Sequence, residues 1–259
     1  MLPFDSTVLH NSHNIVFGSG SNPESGSCLE DEIEFVHLME DFGDFMKSPA
    51  PKVTGSLFAK RYCSLIAGAV HTYMHHQYGL DLSLPNVRVV VGEEGIHYRI
   101  VDSGEFQQLQ QLQTREQRRE LYFRHLFSDN VCRVFERTER YTGIQESNLW
   151  ATLSYNLTYW KEEWIHQAQS LWLRERIEED YRFMMEEANH LWFREKTVNP
   201  LIHSFRQVIV PCYNDRHILL REKCCLNYCL PGGDRYCYTC PLITDERRIE
   251  KYLAVHDIG

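Results

Sequence analysis

The sequence predicts an α+β protein that is mainly helical, with a small antiparallel sheet and a cysteine-rich segment near the C-terminus. Three observations support this prediction. Most of the chain carries apolar residues at the three-and-four spacing of helix faces that pack on a core. Runs rich in β-branched residues occur around 86–102. Five of the nine cysteines lie between positions 224 and 240.

The N-terminal third of the sequence predicts a flexible segment followed by two helices. Residues 1–28 are rich in Ser, Gly and Asn, which is typical of a flexible surface segment. Helical spacing of apolar residues then covers 29–46, and Pro49 and Pro51 end that helix. A second, longer and largely buried helix is predicted over 56–77, with Gly79 at its end.

The period of the pattern changes to that of strands over 86–92 and 96–102. Both runs are rich in Val and Ile, and Gly92-Glu-Glu-Gly95 separates them. A short glycine-containing connection between two such runs indicates a β-hairpin. We expect this hairpin to be the main part of the sheet.

The rest of the chain predicts more helices. Ser128-Asp-Asn130 predicts a break between two helices, with a cap at the start of the second. Gly143 predicts a helix end, and Glu146-Ser147-Asn148 predicts the cap of the next helix. Pro200 marks a weak boundary between a helical body, 29–200, and a C-terminal segment, 201–259. No internal repeat is found. The predicted helices are 105–112, 115–126, 130–141, 149–160, 162–193 and 245–256.

Composition excludes several function classes. The formal net charge is −9 and no basic stripe occurs, which argues against nucleic-acid binding. No apolar run approaches bilayer length, and the first residues lack the charged and apolar regions of a signal peptide. We therefore expect a cytoplasmic location. The chain also lacks a dinucleotide fingerprint and a phosphate-binding loop, so we expect it not to bind NAD(P)H or ATP.

The cysteines near the C-terminus are the strongest signal of function. Cys224 and Cys225 are adjacent, while Cys237 and Cys240 form a C-x2-C pair. A C-x2-C turn brings two sulfurs to one site, but adjacent side chains diverge unless the backbone bends. Pro231-Gly-Gly233 supplies a reversal between the two pairs. Converging thiolates hold a metal ion or an iron–sulfur cluster.

This arrangement closely resembles the C-terminal signature of FhuF-like ferric-siderophore reductases. The shared features are the adjacent cysteines, a loop of about a dozen residues, C-x2-C followed by Pro241, Arg221 before the pair and Tyr228 after it. The resemblance is strongest over about the last quarter of the chain. Two features depart from it. The loop between Cys225 and Cys237 holds eleven residues, one more than the family pattern, and it contains Cys229.

The resemblance implies a [2Fe–2S] cluster held by Cys224, Cys225, Cys237 and Cys240. It also implies one-electron reduction of siderophore-bound iron(III) in the cytoplasm, which releases the metal because iron(II) binds oxygen chelators far more weakly. The implied partners are a ferric siderophore or other ferric chelate and an external electron donor of the ferredoxin or flavin reductase type. An inner-membrane siderophore transporter is a further candidate partner, through transient association.

Other interpretations stay open at this point. Cys225-x3-Cys229 with Cys237-x2-Cys240 has the spacing of a zinc knuckle, which would make the chain a zinc-stabilised binding or scaffold protein. Cys229 could also replace Cys224 or Cys225 as a cluster ligand. Disulfides are disfavoured, because adjacent cysteines pair with strain and no secretion signal is seen. A third hypothesis is a siderophore-synthetase-like binding module without catalysis.

The remaining chemistry-bearing residues give weaker predictions. Positive charge near the cysteines would attract an anionic chelate and favour a reduced cluster, although Glu222 and Asp234 could neutralise it. His71, His75 and His76 share a helix but lack the Glu of a zinc-protease motif, so we expect no ligand role. Cys28, Cys63, Cys132 and Cys212 are expected to be buried apolar residues, and most of Trp150, Trp160, Trp164, Trp172 and Trp192 to lie in the core. The candidate substrate-binding cations are Arg221, Lys223, Arg235, Lys60 and Arg61.

Overall fold

The computed structural model confirms a mainly helical α+β protein. The residues that it describes are 4–18, 26–93, 95–102, 105–194, 196–211 and 217–256. Its α-helices are α1 Thr7–His13, α2 Glu32–Met46, α3 Pro51–His76, α4 Arg115–Arg124, α5 Cys132–Thr142, α6 Glu146–Gln167, α7 Leu171–Met184 and α8 Asp245–Val255. Its strands are β1 Ile15–Phe17, β2 Ser27–Cys28, β3 Val87–Gly92, β4 Gly95–Ile100, β5 Gln207–Ile209 and β6 His217–Leu219.

The long buried helix α3 organises the body, and it packs against α2, α5, α6 and α7. It begins at Pro51, five residues before the start that the sequence predicts. Proline lacks the N–H that the first turn of a helix leaves unpaired, so Pro51 starts this helix and does not merely end the previous one. At the other end, Gln77 has φ +54° and closes the helix before Gly79 is reached.

The predicted hairpin is present as β3 and β4, but the sheet around it is mixed. Its strand order is β1-β4-β3-β2. Strand β1 pairs in parallel with β4, with Ile15 opposite Tyr98. The prediction of a flexible segment over 1–28 is therefore wrong for 4–18 and 26–28, which contain α1, β1 and β2. Burial of Leu9, His13 and Ile15 holds this segment on the body.

The predicted break at Ser128-Asp-Asn130 does not occur. The chain stays helical from α4 to α5 through a wider, π-type stretch, His125–Val131. The Tyr62 hydroxyl donates to Asn130 Oδ1, and Asn130 Nδ2 donates to the Leu82 carbonyl, both over 2.7 Å. Because Asn130 is buried and fully partnered by distant residues, it does not act as a cap.

The helix predicted over 162–193 is divided. Helix α6 ends at Gln167, and Ser170 caps α7 by accepting the Leu173 N–H. A 3₁₀ stretch, Glu187–Phe193, follows α7, and the predicted helix at 105–112 is likewise only a 3₁₀ helix, Gln107–Gln111. Three of the five tryptophans are buried as predicted, Trp160 is half-buried and Trp172 is 63% exposed.

The apolar core has two parts of very different size. The large part fills the body and includes α2 to α7 and the mixed sheet. The small part lies under the hairpin β5–β6 and α8, and its buried members are Val208, Val210, Ile218 and Leu220. Cys63 and Cys132 are buried as predicted, Cys28 is half-buried, and Cys212 lies outside the described residues. In the described ranges, none of the helices combines the length and apolar character needed to cross a membrane.

Candidate metal centre

A backbone bend brings the adjacent cysteines together with the rest of the motif. Cys224 and Cys225 follow β6, and Leu226 after them has φ +61° and ψ +12°. This left-handed conformation is uncommon for a bulky residue, so packing must hold it. Leu226 and Cys229 rest against the large apolar core, which fixes the bend on the body.

The second cysteine pair sits on a turn that faces the first. Gly232, with φ +96°, reverses the chain between the pairs, as the sequence predicts for 231–233. Asn227 Nδ2 donates to the Arg235 carbonyl over 2.9 Å and ties the two sides of the loop together. The Cys240 N–H donates to the Cys237 carbonyl over 3.0 Å, which closes the C-x2-C turn.

The four predicted ligand sulfurs meet pairwise. Cys224 Sγ lies 3.6 Å from Cys240 Sγ, and Cys225 exchanges side-chain hydrogen bonds with Cys224 and Cys237. Two thiolates on one tetrahedral metal with bonds of about 2.3 Å would be about 3.8 Å apart, so this spacing suits shared coordination. In the described ranges, no group of three or more His, Cys, Asp or Glu side chains has the geometry to hold a single metal ion.

The electrostatics of the thiols are unequal. Hydrogen bonds from Cys224 and Cys237 lower the pKa of Cys225, and the positive charges of Lys60 and Arg221 lower it further. The same hydrogen bonds, together with burial, raise the pKa of Cys224 and Cys237. Cys225 therefore ionises before Cys224 and Cys237, and the thiolate is the form that binds metals.

Arg221 lies against the cysteine turn with one unused donor. Its backbone N–H donates to the Thr239 carbonyl over 3.0 Å, and its Nε donates to Thr239 Oγ1 over 3.3 Å. The side chain is buried, and its Nη1 has no hydrogen-bond partner in the described structure. An unpaired buried guanidinium nitrogen on a side chain whose charge lowers the pKa of Cys225 and Cys237 fits a negatively charged thiolate-bound centre, which would accept that hydrogen bond.

The other cations named from the sequence lie at different depths. Half-buried Lys60 on α3 is close enough to lower the pKa of Cys225, whereas Arg61 is exposed on the same helix. Lys223 and Arg235 are exposed near the cysteines. The acids expected to neutralise them have other partners. Glu222 accepts from His203 over 2.6 Å, and Asp234 pairs with Arg247 and Lys251, both over 2.8 Å.

Cys229 and the histidines have side-chain partners other than the four predicted ligand thiols. Cys229 has its side-chain hydrogen bond with Tyr228, whose pKa it raises, and Tyr228 stacks on Tyr236 with ring centroids 4.8 Å apart. His71 and His75 stack on each other with centroids 3.9 Å apart. Burial lowers the pKa of His75 to about 4, so these rings are packed as neutral aromatic groups.

Sequence reasoning missed Arg248, which holds the cysteine turn from behind. This side chain is completely buried in α8. Its Nη1 donates to the carbonyls of Tyr238 and Cys240 over 2.7 and 2.9 Å, and its Nη2 donates to the Ile243 carbonyl over 3.0 Å. Nothing in the local sequence distinguishes it from exposed Arg247 beside it.

The helical body is the part of the chain that matches a known protein family. Residues 56–205 match the model of a family described as "Ferric iron reductase FhuF-like transporter". The chain belongs to this FhuF-like family. The match extends from α3 to just before β5, so it includes the body and ends ahead of the cysteine motif. No curated protein matches the chain. Membership therefore rests on the body, and the cysteine site is an independent observation.

Proposed function

We propose that this FhuF-like protein reduces iron(III) held in a siderophore or similar oxygen chelate. The observation that carries the proposal is the chain of pairwise contacts among four thiols, with the Cys224 and Cys240 sulfurs 3.6 Å apart, together with the unpaired Arg221 nitrogen. Family membership supports a ferric iron reductase in general. More specifically, we propose that a [2Fe–2S] cluster is held by Cys224, Cys225, Cys237 and Cys240, and that the protein acts in the cytoplasm.

The residues of the chain have separate roles in this proposal. A bound [2Fe–2S] cluster supplies one-electron transfer at a potential set by charge, burial and hydrogen bonds to sulfur. Arg221 and Lys60 place positive charge beside Cys225, which favours thiolates. Arg248 and Thr239 keep the C-x2-C turn in shape.

The electron balance of the reaction is simple. An external donor of the ferredoxin or flavin reductase type gives one electron, and the chelated iron(III) takes one and becomes iron(II). No proton or covalent bond to the protein is required. An inner-membrane siderophore transporter remains a candidate for transient association, because it would deliver the ferric chelate.

The first test is an absorption spectrum of protein purified without air, with and without dithionite, together with iron, zinc and sulfide analysis. We expect visible bands that bleach on reduction and about two irons and two sulfides per chain. Reduced protein mixed with a ferric chelate should then regain its colour as a chromogenic trap reports iron(II). Colourless protein with one zinc would contradict the reductase proposal and favour a zinc-stabilised binding protein. Binding of a ferric chelate by colourless protein without reduction would instead favour the synthetase-like binding module.

A further inference from the structure

A large groove lies directly beside the cysteine turn. Its volume is about 830 Å³, within the range typical of small-molecule sites. Its walls come from α6, α7, β5, β6, α8 and the turn between Cys237 and Cys240. The residues that matter for the argument are Tyr155, Tyr159, Glu163, His217, Tyr238 and Thr239.

The wall between this groove and the thiols is one side chain thick. Thr239 lines the groove, and its Oγ1 lies 3.4 Å from Cys237 Sγ. Tyr238, also in the wall, is the residue between Cys237 and Thr239. A molecule that touches Thr239 from the groove is therefore separated from Cys237, a predicted cluster ligand, by this one residue.

The wall is rich in phenol rings that stay protonated. Burial raises the pKa of Tyr155 and of Tyr159 above the ordinary tyrosine value. Neutral phenols do not compete as phenolate ligands for iron(III), but they donate hydrogen bonds to ligand oxygens and pack against organic groups. The five cations named from the sequence do not line the described part of the groove.

We propose that this groove binds the ferric chelate, with the iron end at Thr239 and the organic part against Tyr155 and Tyr159. The inference rests on the proposed function, to which it adds the substrate site. Three features support it: a volume suited to a siderophore-sized ligand, phenol rings that can pack against its organic part, and a shared wall with the cysteine turn. One electron, which originates from the external donor, passes through this wall and converts iron(III) to iron(II).

Binding can be tested without any redox step, because gallium(III) has the charge and nearly the radius of iron(III) but is not reduced. The probes are the gallium(III) complexes of a trihydroxamate, a tricatecholate and citrate, titrated calorimetrically into the metal-loaded protein. We expect at least one complex to bind, and Tyr159→Ala to raise its Kd at least tenfold. Tyr159 is 39% exposed, so the variant should fold. His217→Ala, at another exposed wall position, provides a second variant.

Tyr228→Ala is the matched control, because Tyr228 is 36% exposed and near the cysteines but outside the groove. It should change the gallium-complex Kd less than twofold. Equal effects of Tyr228→Ala and Tyr159→Ala, unchanged Kd in both groove variants, or no binding of any complex would overturn the groove proposal.

Reduction of the matching iron(III) complexes separates this proposal from the proposed function. If the wild-type protein reduces one of them while Tyr159→Ala and His217→Ala leave KM unchanged, the groove is wrong and the reductase function stands. If gallium complexes bind in the groove but no iron(III) complex is reduced, the groove binds chelates and the reductase function is wrong.

Discussion

The guanidinium carbon of Arg221 lies 4.5 Å from the centroid of the Tyr155 ring. Tyr155 belongs to α6, inside the family-matched body, and Arg221 belongs to the cysteine segment outside the match. The Tyr155 hydroxyl also donates to the Leu219 carbonyl over 3.2 Å. A single tyrosine thus joins the body, the strand before the cysteines and the Arg221 side chain, and it also forms part of the groove wall.

Arg221→Gln should make the reduction potential of the bound centre more negative. Removal of a buried positive charge beside Cys225 disfavours the additional negative charge of the reduced state. The measurement is a dye-mediated redox titration of the purified variant. Arg235→Gln removes an exposed cation from the same loop and should change the potential much less, since water screens it. Equal shifts in the two variants would refute a special role for Arg221.

Serine substitutions should identify the ligands. We expect Cys224→Ser, Cys225→Ser, Cys237→Ser and Cys240→Ser each to lose the visible bands and most of the iron. Cys229→Ser should keep both, because Cys229 contacts Tyr228 and the apolar core. Iron analysis and absorption spectra of the five variants provide the check. A bleached Cys229→Ser together with a coloured Cys224→Ser would reverse the ligand assignment.

Arg248→Met should destabilise the cysteine segment by roughly 3 kcal/mol, since it leaves three buried carbonyl oxygens without their donor. The measurement is urea unfolding followed by circular dichroism, combined with iron content after purification. Arg247→Met, one residue earlier, removes an exposed ion pair with Asp234 and a surface cation–π contact with Tyr236, and it should leave the urea midpoint nearly unchanged. Similar midpoints for the two variants would show that Arg248 does not hold the turn.

Acidification should destabilise the fold through its buried histidines. Burial lowers the pKa of His13 and of His75 to about 4, against an ordinary value of 6.5. Between these values the unfolded chain binds more protons than the folded one, so stability is full above pH 6.5 and falls as the pH decreases towards 4. From pH 7 to pH 5 we expect a loss of about 1–2 kcal/mol for each histidine.

Urea unfolding at pH 7 and pH 5 measures this loss. His13→Phe removes one titrating ring from a buried position next to Trp160, and it should reduce the pH dependence by about one histidine's share. His10→Gln, at an exposed position on the same helix, is the control for loss of a histidine that is not buried. An unchanged pH dependence in His13→Phe would contradict the conclusion that buried His13 contributes to the loss of stability at low pH.

The elements that the sequence predicts correctly are those whose residue pattern lies within the element itself. Alternating β-branched residues around Gly92 and Gly95 define the hairpin, and Gly143 ends α5 with φ +70°. The continuous helix through Asn130 is missed because its partners, Tyr62 and Leu82, are 68 and 48 residues away in the chain. Strand β1 is missed because three residues are too short for a pattern.

The candidate site also has some features that the sequence predicts and others that it does not. The cysteine spacing names the four thiols, and the structure brings their sulfurs together. The burial of Arg221 and Arg248 and the groove beside Thr239 depend on how α6 and α8 pack around the turn, which spacing alone does not encode.

The small apolar core under the hairpin β5–β6 has a consequence for how the molecule opens. Among the residues of this region that the structure describes, only four apolar side chains are buried in its core, so it has little to lose when it separates from the body. Its amide protons should exchange with solvent through local opening, whereas those of α3 should exchange only when the whole molecule unfolds. A metal centre bound by the cysteines between Cys224 and Cys240 would slow amide exchange in the hairpin towards that of α3. Loss of the metal centre would first appear as faster deuterium uptake in the hairpin.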